Sequence, residues 1–251
     1  MTDLIQAYFS TCVQQLQQVQ AESHETIEQA AAALAAALTR DQGFYLFGSG
    51  HSALIAREAF WRAGGLAPAM PISDPMQGDA ERLPGFGAAL LGHYDLQDGD
   101  VLVVISNSGV NPLPIEIAMQ GKARGVTVIA LTCLAHSRAV DSRHASGRKL
   151  MDIADIVIDT HGALGDAALP LPNRKWKVGA TSTVIGAAII EALTSRAAEI
   201  MVERGLDPPV IASSNAPGGD RHNREVAERY RERLIRYEVP TAQVSGRSEG
   251  G

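Results

Sequence analysis

The chain has 251 residues, 45% of them hydrophobic and 20% charged, which suits a soluble globular protein with a real core, built as one large α/β domain or two small ones. A net charge of −6 weighs against a nucleic-acid surface, whose affinity comes from neutralised phosphates, yet leaves room for a local basic pocket around one phosphate. Cys12 and Cys133, the two cysteines, lie far apart and outside any metal-ligand spacing, so a disulfide framework is not expected and a reducing cytoplasm fits.

The N-terminus, Met1-Thr2-Asp3-Leu4-Ile5-Gln6, has no basic segment followed by an apolar one, and no signal peptide is expected. Residues 3–40 read as helix in two pieces, with a break near Glu22-Ser23. Leu4, Ala7, Tyr8, Val13 and Leu16 keep helical spacing, and the alanine-rich stretch 30–37 has high helix propensity. Gly43 stops the helix, and Gly43-Phe44-Tyr45-Leu46 opens a first strand. A helix over 53–63 ends at Gly64-Gly65. The second strand, 66–72, holds Pro68 and Pro71, which places it at a sheet edge. Residues 73–100, with Pro75, Gly78, Pro84, Gly85 and Gly87, read as a long loop with one short helix, and loops of that length are often functional.

A third strand over 101–105, a helix over 112–124 with Pro112 in its first turn and a fourth strand over 126–131 follow. A polar stretch, 134–149, precedes a fifth strand over 153–159 and a second long loop over 160–174. A long helix over 178–204 is interrupted by Thr181, Ser182, Thr183 and Glu191, so it reads as buried helix and not as a membrane span. A charged helix over 221–237 and a disordered tail over 244–251 finish the chain. Strands one, three and four are nearly all apolar, as strands buried on both faces should be. With helices between them they make a doubly wound parallel sheet, where ligands sit at the carboxyl ends of strands near the point of reversal.

Two glycine–serine turns carry the chemistry. Phe47-Gly48-Ser49-Gly50-His51-Ser52 follows the first strand, and Ser106-Asn107-Ser108-Gly109 follows the third. Each leads into a helix, so its N–H groups and hydroxyls can face an anion where the helix dipole also favours negative charge. Either turn alone is equally a tight structural turn. Together, at equivalent strand ends, they point to a small ligand carrying a phosphate and a polyol. With Ala53 in the third glycine position and Asp74 about where a ribose-binding acid would stand, the first turn meets a loose dinucleotide fingerprint. Pro68 and Pro71 spoil the second strand for that purpose, and no P-loop lysine follows the turn.

The pair of turns, with Ala130-Leu131-Thr132 closing the fourth strand, resembles the sugar isomerase (SIS) domain family over about residues 33–210. Within it the chain is similar to a bacterial group of sugar-isomerase-like proteins, on His51-Ser52, Arg62-Ala63-Gly64-Gly65-Leu66, Glu81-Arg82, Ser106-Asn107-Ser108-Gly109, Ser146-Gly147, Gly165-Asp166-Ala167 and Pro208-Pro209. The resemblance implies a three-layer α/β sandwich, a five-stranded parallel sheet in the flavodoxin-like order 2-1-3-4-5 flanked by helices. The helices of 1–40 would pack on a phosphosugar-binding domain over 41–210, with a C-terminal helix and flexible tail over 211–251. It further implies that Gly48, Ser49, Gly50, His51, Ser52, Ser106, Asn107, Ser108 and Gly109 hold the phosphate or sugar, with the Val110 N–H nearby, Thr132 at the strand end and Ser182 lining the site. Asn111 stands where many members place Thr; its amide can donate to a phosphate, and it can equally cap the helix.

The family serves isomerases, an etherase, deaminases and sugar-phosphate-sensing regulators. The reading it supports here is a cofactor-free aldose–ketose phosphosugar isomerase passing through an enediol, with an amino-sugar-phosphate etherase or deaminase, or a non-catalytic sensor, as alternatives. No cofactor and no metal are expected; His161 and Asp166 share a loop without a second His or Cys, and Asp166 reads as a cap or loop hydrogen-bonder. An isomerase needs a base between C1 and C2 and a group to open the ring. Glu81, in the glycine-rich loop, and Glu58, six residues after Ser52, are the candidate bases, each also readable as a solvated surface carboxylate. His51 is the ring-opening candidate. In isomerase and etherase relatives a Glu further along the first helix is the base, and Arg62 stands about there. A homodimer is expected from the apolar circumference of the long helix, with the N-terminal helices as cover. His144 or His222 would then complete the partner's site. Arg174-Lys175-Trp176-Lys177 is either a solvated helix start or a cationic wall beside the phosphate. The ligand expected is a sugar phosphate, with neither nucleic acid nor membrane as partner. SIS regulators carry a DNA-binding region before the sugar domain, whereas the residues before Gly43 are alanine-rich and acidic.

Overall fold

Apolar runs with period-two alternation set the centre of the molecule. In β1 (Phe44–Gly48), Phe44 and Leu46 point to one face while Tyr45 and Phe47 point to the other, and all are buried. β3 (Val101–Ile105) and β4 (Thr127–Thr132) repeat the pattern, with β2 (Ala69–Ile72) and β5 (Ile156–Asp159) outside them. The computed structural model, which describes residues 3–231, joins the five in parallel in the order β2-β1-β3-β4-β5. β2 is an edge strand, where Pro71 can be accommodated.

One face of the sheet is covered by α1 (Leu4–Glu22), α2 (His24–Leu38), α3 (Ser52–Glu58) and α7 (Ser182–Glu203). α2 buries Ala30, Ala31, Ala35 and Ala37, whose small side chains let it lie close to sheet and α7. The break between α1 and α2 falls at Ser23, whose hydroxyl donates to the Asp159 carbonyl (3.0 Å) and so ties the corner to the end of β5. The other face is covered by α4 (Phe86–Leu91) and α5 (Pro112–Ala123). The order and the three layers match the expectation.

Local differences have local causes. α3 stops at Glu58, short of the expected helix end, and Trp61 then takes a positive φ of 50°, which no helix tolerates. The loop after β2 contains a 3-10 turn, Asp79–Arg82, ahead of α4. α6 (Leu134–Ala139) occupies the start of the polar stretch after β4. The long helix begins at Ser182 and not near 178: residues before it form β7 (Lys177–Ala180), antiparallel to β6 (Ala167–Pro170). Gly179, at φ +76°, is incompatible with helix there. α8 (Gly219–Arg229) overlaps the expected C-terminal helix and starts two residues before it; the part of that helix beyond residue 231, and the expected tail, fall outside the described residues. Among the described residues no helix is long and apolar enough to cross a membrane.

Candidate functional site

The register of the two central strands builds the site. Gly48 pairs with Ile105, so the turn that follows β1 and the turn that follows β3 leave the sheet side by side, where the strand order reverses. In the first turn a β-carbon on Gly48 would stand 2.3 Å from the Ser52 carbonyl oxygen, so only glycine lets the chain fold back into α3. Gly50 takes φ +55°, and the N–H groups of Ser52, Ala53 and Leu54 donate to the carbonyls of Ser49, Gly50 and His51. Ser52 is half-buried at the rim and His51 is exposed.

The loop after β2 closes over this turn. Asp74, almost fully buried, accepts from Met76 N–H (2.9 Å) and Gly78 N–H (2.8 Å), and the Ser49 hydroxyl donates to it at 3.3 Å. A β-carbon on Gly78 would lie 3.0 Å from Gly50 Cα, so the loop backbone packs directly on the turn. Ser49 and Asp74 therefore brace the loop: the hydroxyl implied as a ligand contact already has a carboxylate partner, and the acid in the ribose-binding place is engaged in the same way.

In the second turn Ser106 is buried, and its hydroxyl accepts the Gly109 N–H (3.2 Å). Gly109 takes φ +64°, and a β-carbon on it would meet Thr132 Oγ1 at 3.1 Å. Thr132 is fully buried and donates to the Asn107 carbonyl (3.3 Å), so it supports the turn from beneath. Asn107 and Ser108 are half-buried at the rim. The segment after α6 folds against the far side: Leu150 N–H donates to Gly109 O and Arg143 N–H to Val110 O, both at 2.8 Å. Arg143 Nη1 also donates to Asn111 Oδ1 (2.7 Å). Asn111 takes the N-cap backbone position of α5 with no side-chain cap bond, and its oxygen facing Arg143 leaves its NH2 as a donor. Arg143 thus puts a cation two residues beyond the turn, at Asn111. It also faces His136, whose pKa is held below the ordinary histidine value first by burial and next by Arg143.

The start of α7 packs on α3. A β-carbon on Gly186 would stand 2.5 Å from Ile55 Cδ1, so α7 runs hard against α3. Asp166 accepts the N–H groups of Thr181 (3.1 Å) and Ser182 (2.9 Å) and the Ser182 hydroxyl (2.7 Å). Asp166 is a cap, as one expectation had it, though of a helix outside its own loop. The Ser182 hydroxyl implied as site lining is directed to that carboxylate.

The charged candidates are dispersed. Glu58 is exposed, about 9 Å along α3 from Ser52, and is ion-paired with Arg62, which also reaches Glu191 (3.3 Å). His51 lines a cleft of about 470 Å³ on the β2 side of the first turn, with Arg57, Asp74 and Gln77. Glu81 is half-buried in the 3-10 turn, three residues after Gly78. His144 is tied within its own chain: Nδ1 pairs with Ser146 Oγ (2.8 Å) and Nε2 lies 3.9 Å from Glu116 Oε1. His222 donates from Nε2 to the Val210 carbonyl (2.8 Å), on the C-terminal segment that bridges to Leu66. Glu116 was not singled out by the sequence. Its two oxygens accept the N–H groups of Gly85 (2.6 Å) and Gly87 (2.8 Å), so α5 holds the loop that carries Glu81. Arg143 was likewise missed; neither has a motif, and both act on residues distant in sequence. Trp176 and its cationic neighbours lie on the β6–β7 hairpin, exposed, and not at a helix start.

Comparison with known proteins agrees with this geometry. A family model described as SIS domain matches residues 7–133. A UPF0309 protein of Shouchella clausii is 37% identical over 240 residues, covering 92% of this chain and 98% of that one. A UPF0309 protein of Brucella canis is 40% identical over 243 residues, covering 93% and 98%. Among solved structures, phosphoheptose isomerase GmhA of Neisseria gonorrhoeae superposes with a TM-score of 0.55 at 20% identity, over 77% of this chain and 96% of that one. The Vibrio vulnificus NanR protein complexed with ManNAc-6P superposes with a TM-score of 0.52 at 15% identity, over 93% of this chain and 69% of that one. These structures share the fold. Two central turns at paired strand ends, the SIS-domain match and relatives aligned over nearly their whole length place the chain in the SIS-domain family, within its UPF0309 group.

Proposed function

We propose that the protein binds a sugar phosphate between the two turns and interconverts its aldose and ketose forms through an enediol. The observation that supports this reading is the Gly48–Ile105 pairing, which starts the two turns carrying Ser52 and Ser108 from neighbouring strand ends. The phosphate is held by backbone N–H groups of the turns with those hydroxyls, the Asn111 amide and the positive charge of Arg143. The sugar extends toward the start of α7. Glu81, carried by the loop that closes over the first turn, moves the proton between C1 and C2, and His51 assists ring opening. Solved neighbours named as phosphoheptose isomerases support a substrate of this class. The protein works as a homodimer in the reducing cytoplasm, where its two buried cysteines stay free.

Two observations favour a second reading, a sensor that binds without turnover. Glu58, the carboxylate on the first helix, is ion-paired with Arg62, and the NanR complex shows the same fold holding an amino-sugar phosphate. A panel of C6 and C7 sugar phosphates and amino-sugar phosphates, screened for thermal stabilisation and then by NMR in D2O, separates the two. Exchange at C2 with formation of the isomer supports isomerisation. Stabilisation without exchange supports the sensor. Release of ammonia or lactate identifies a deaminase or etherase instead.

A further inference from the structure

Two features of the molecule take no part in the crevice. The first is the β6–β7 hairpin. Its root is pinned at three places: the Tyr8 hydroxyl donates to the Ala180 carbonyl (2.9 Å), Gly179 packs so closely on the Tyr8 ring that a β-carbon would stand 3.1 Å away, and Asp166 binds the start of α7. Its tip projects. Residues 172–178 are all exposed, with the chain turning at Asn173 (φ +56°). Trp176 is 74% exposed, with Lys175 Nζ 4.6 Å from its ring centroid and Val178 exposed next to it. Arg174, Lys175 and Lys177 give this tip three positive charges in a chain whose net charge is −6. The root is rigid, and the apolar, cationic tip is left uncovered by the rest of its own chain.

The second feature is a groove of about 730 Å³ between α1, α2 and α7. Its walls are Leu16, Val19, Ile27, Ile189 and the small Ala188 and Ala192. Along α1 the groove continues into an exposed stripe at four-residue spacing, Ile5, Phe9 and Val13. Its rim is acidic. The Arg196 guanidinium is bonded to Glu28, Glu199 and Glu203, and three carboxylates around one guanidinium leave a net charge of −2. The Arg196 bonds hold the Glu28 carboxyl below its ordinary pKa.

We infer that the β6–β7 tip of one copy seats Trp176 in the α1–α2–α7 groove of a second copy, and that the second copy returns the same contact. This rests on the homodimer proposed above and says what builds it. The two surfaces complement each other in shape and charge: an aromatic knob with three cations meets an apolar slot with an anionic rim. In its own chain Trp176 is exposed, so its own groove is not its seat. A two-fold axis satisfies both knobs and both slots at once and closes the assembly. An aromatic anchor in a dry pocket, ringed by charges, is the arrangement that concentrates binding energy in few residues.

The full-length protein tests this by light scattering across a dilution series, beside Trp176→Ala and Ala192→Trp. Ala192 is exposed, so the larger side chain fills the slot without entering the core. The wild type should be a dimer at micromolar concentration, each variant should dissociate at tenfold or more higher concentration, and Trp176→Phe should retain most of the association. Chains carrying Trp176→Cys, mixed with chains carrying Ala192→Cys and oxidised, should form an inter-chain disulfide; Cys12 and Cys133 are buried and give little background. A monomeric wild type overturns both this inference and the dimer. A dimer that both variants leave intact, with no cross-link, overturns the inference alone. So do Trp176→Ala chains that keep the dimer and lose affinity for sugar phosphate, since that places the tip at the partner's crevice.

Discussion

Asp166 holds Ser182 twice, accepting its backbone N–H at 2.9 Å and its hydroxyl at 2.7 Å. That pair joins the hairpin root to the first turn of α7 and fixes where that helix begins. Removing the carboxylate leaves helix N–H groups without their acceptor, so Asp166→Ala should cost about 0.5–2 kcal/mol of folding stability, as other N-cap losses do. Chemical denaturation of the two proteins checks this. Ser182→Ala should change sugar-phosphate affinity by less than threefold, because its hydroxyl is committed to the cap.

Ser52 and Ser108 stand at the rim of the crevice, half-buried, and their hydroxyls are the ones expected to face ligand. Ser52→Ala and Ser108→Ala should each weaken sugar-phosphate binding by roughly 0.5–3 kcal/mol while leaving the melting temperature without ligand nearly unchanged. Titration calorimetry and thermal melts measure the two effects separately. Unfolding of either variant would make the turns structural only.

Glu81→Gln should keep binding within a few-fold and lower turnover by about 10²–10⁴, since the amide cannot accept the C2 proton. Glu58→Gln is the paired control, and with Glu58 held by Arg62 it should leave turnover intact. The reverse outcome, full activity in Glu81→Gln and loss in Glu58→Gln, would move the base to α3. Steady-state rates on the substrate found by screening decide it.

His136 is held below the ordinary histidine value of 6.5, by burial first and by Arg143 next, with Asp166 acting in the opposite direction. Its folded pKa is lower than its unfolded one, so the unfolded chain binds more protons as pH falls. The stability it contributes is complete above pH 6.5 and is lost as pH drops below that value toward the folded pKa. The difference in unfolding free energy between wild type and His136→Gln should therefore shrink from pH 7.5 to pH 5.5. Denaturation curves at the two pH values test the sign.

Much of the scaffold could be read from local pattern. The apolar runs Val101-Leu102-Val103-Val104-Ile105 and Phe44-Tyr45-Leu46-Phe47 are buried on both faces and look it, and the turns after them carry their own glycine signatures. The β6–β7 hairpin could not be read in this way. Lys177-Val178-Gly179-Ala180 is short, and its apolar residues run into the helical pattern of α7. What separates them is Asp166, a cap 16 residues from Ser182, and such long-range bonds leave no spacing to recognise. Asp74 on Ser49, Arg143 on Asn111 and Glu116 on Gly85 and Gly87 are of the same kind. Local sequence marks the turns; contacts across the fold decide which of their hydroxyls remain for a ligand.

The paired turns after β1 and β3 are proposed to form a sugar-phosphate site. The measurement that tests it most directly is titration calorimetry of the protein with a sugar phosphate selected from the C6 and C7 panel, and with its unphosphorylated parent, in the same buffer. The phosphate should bind at least tenfold tighter, a difference of about 1.4 kcal/mol, which is less than one strong charge-assisted contact supplies. Equal affinities for the two sugars would contradict the assignment.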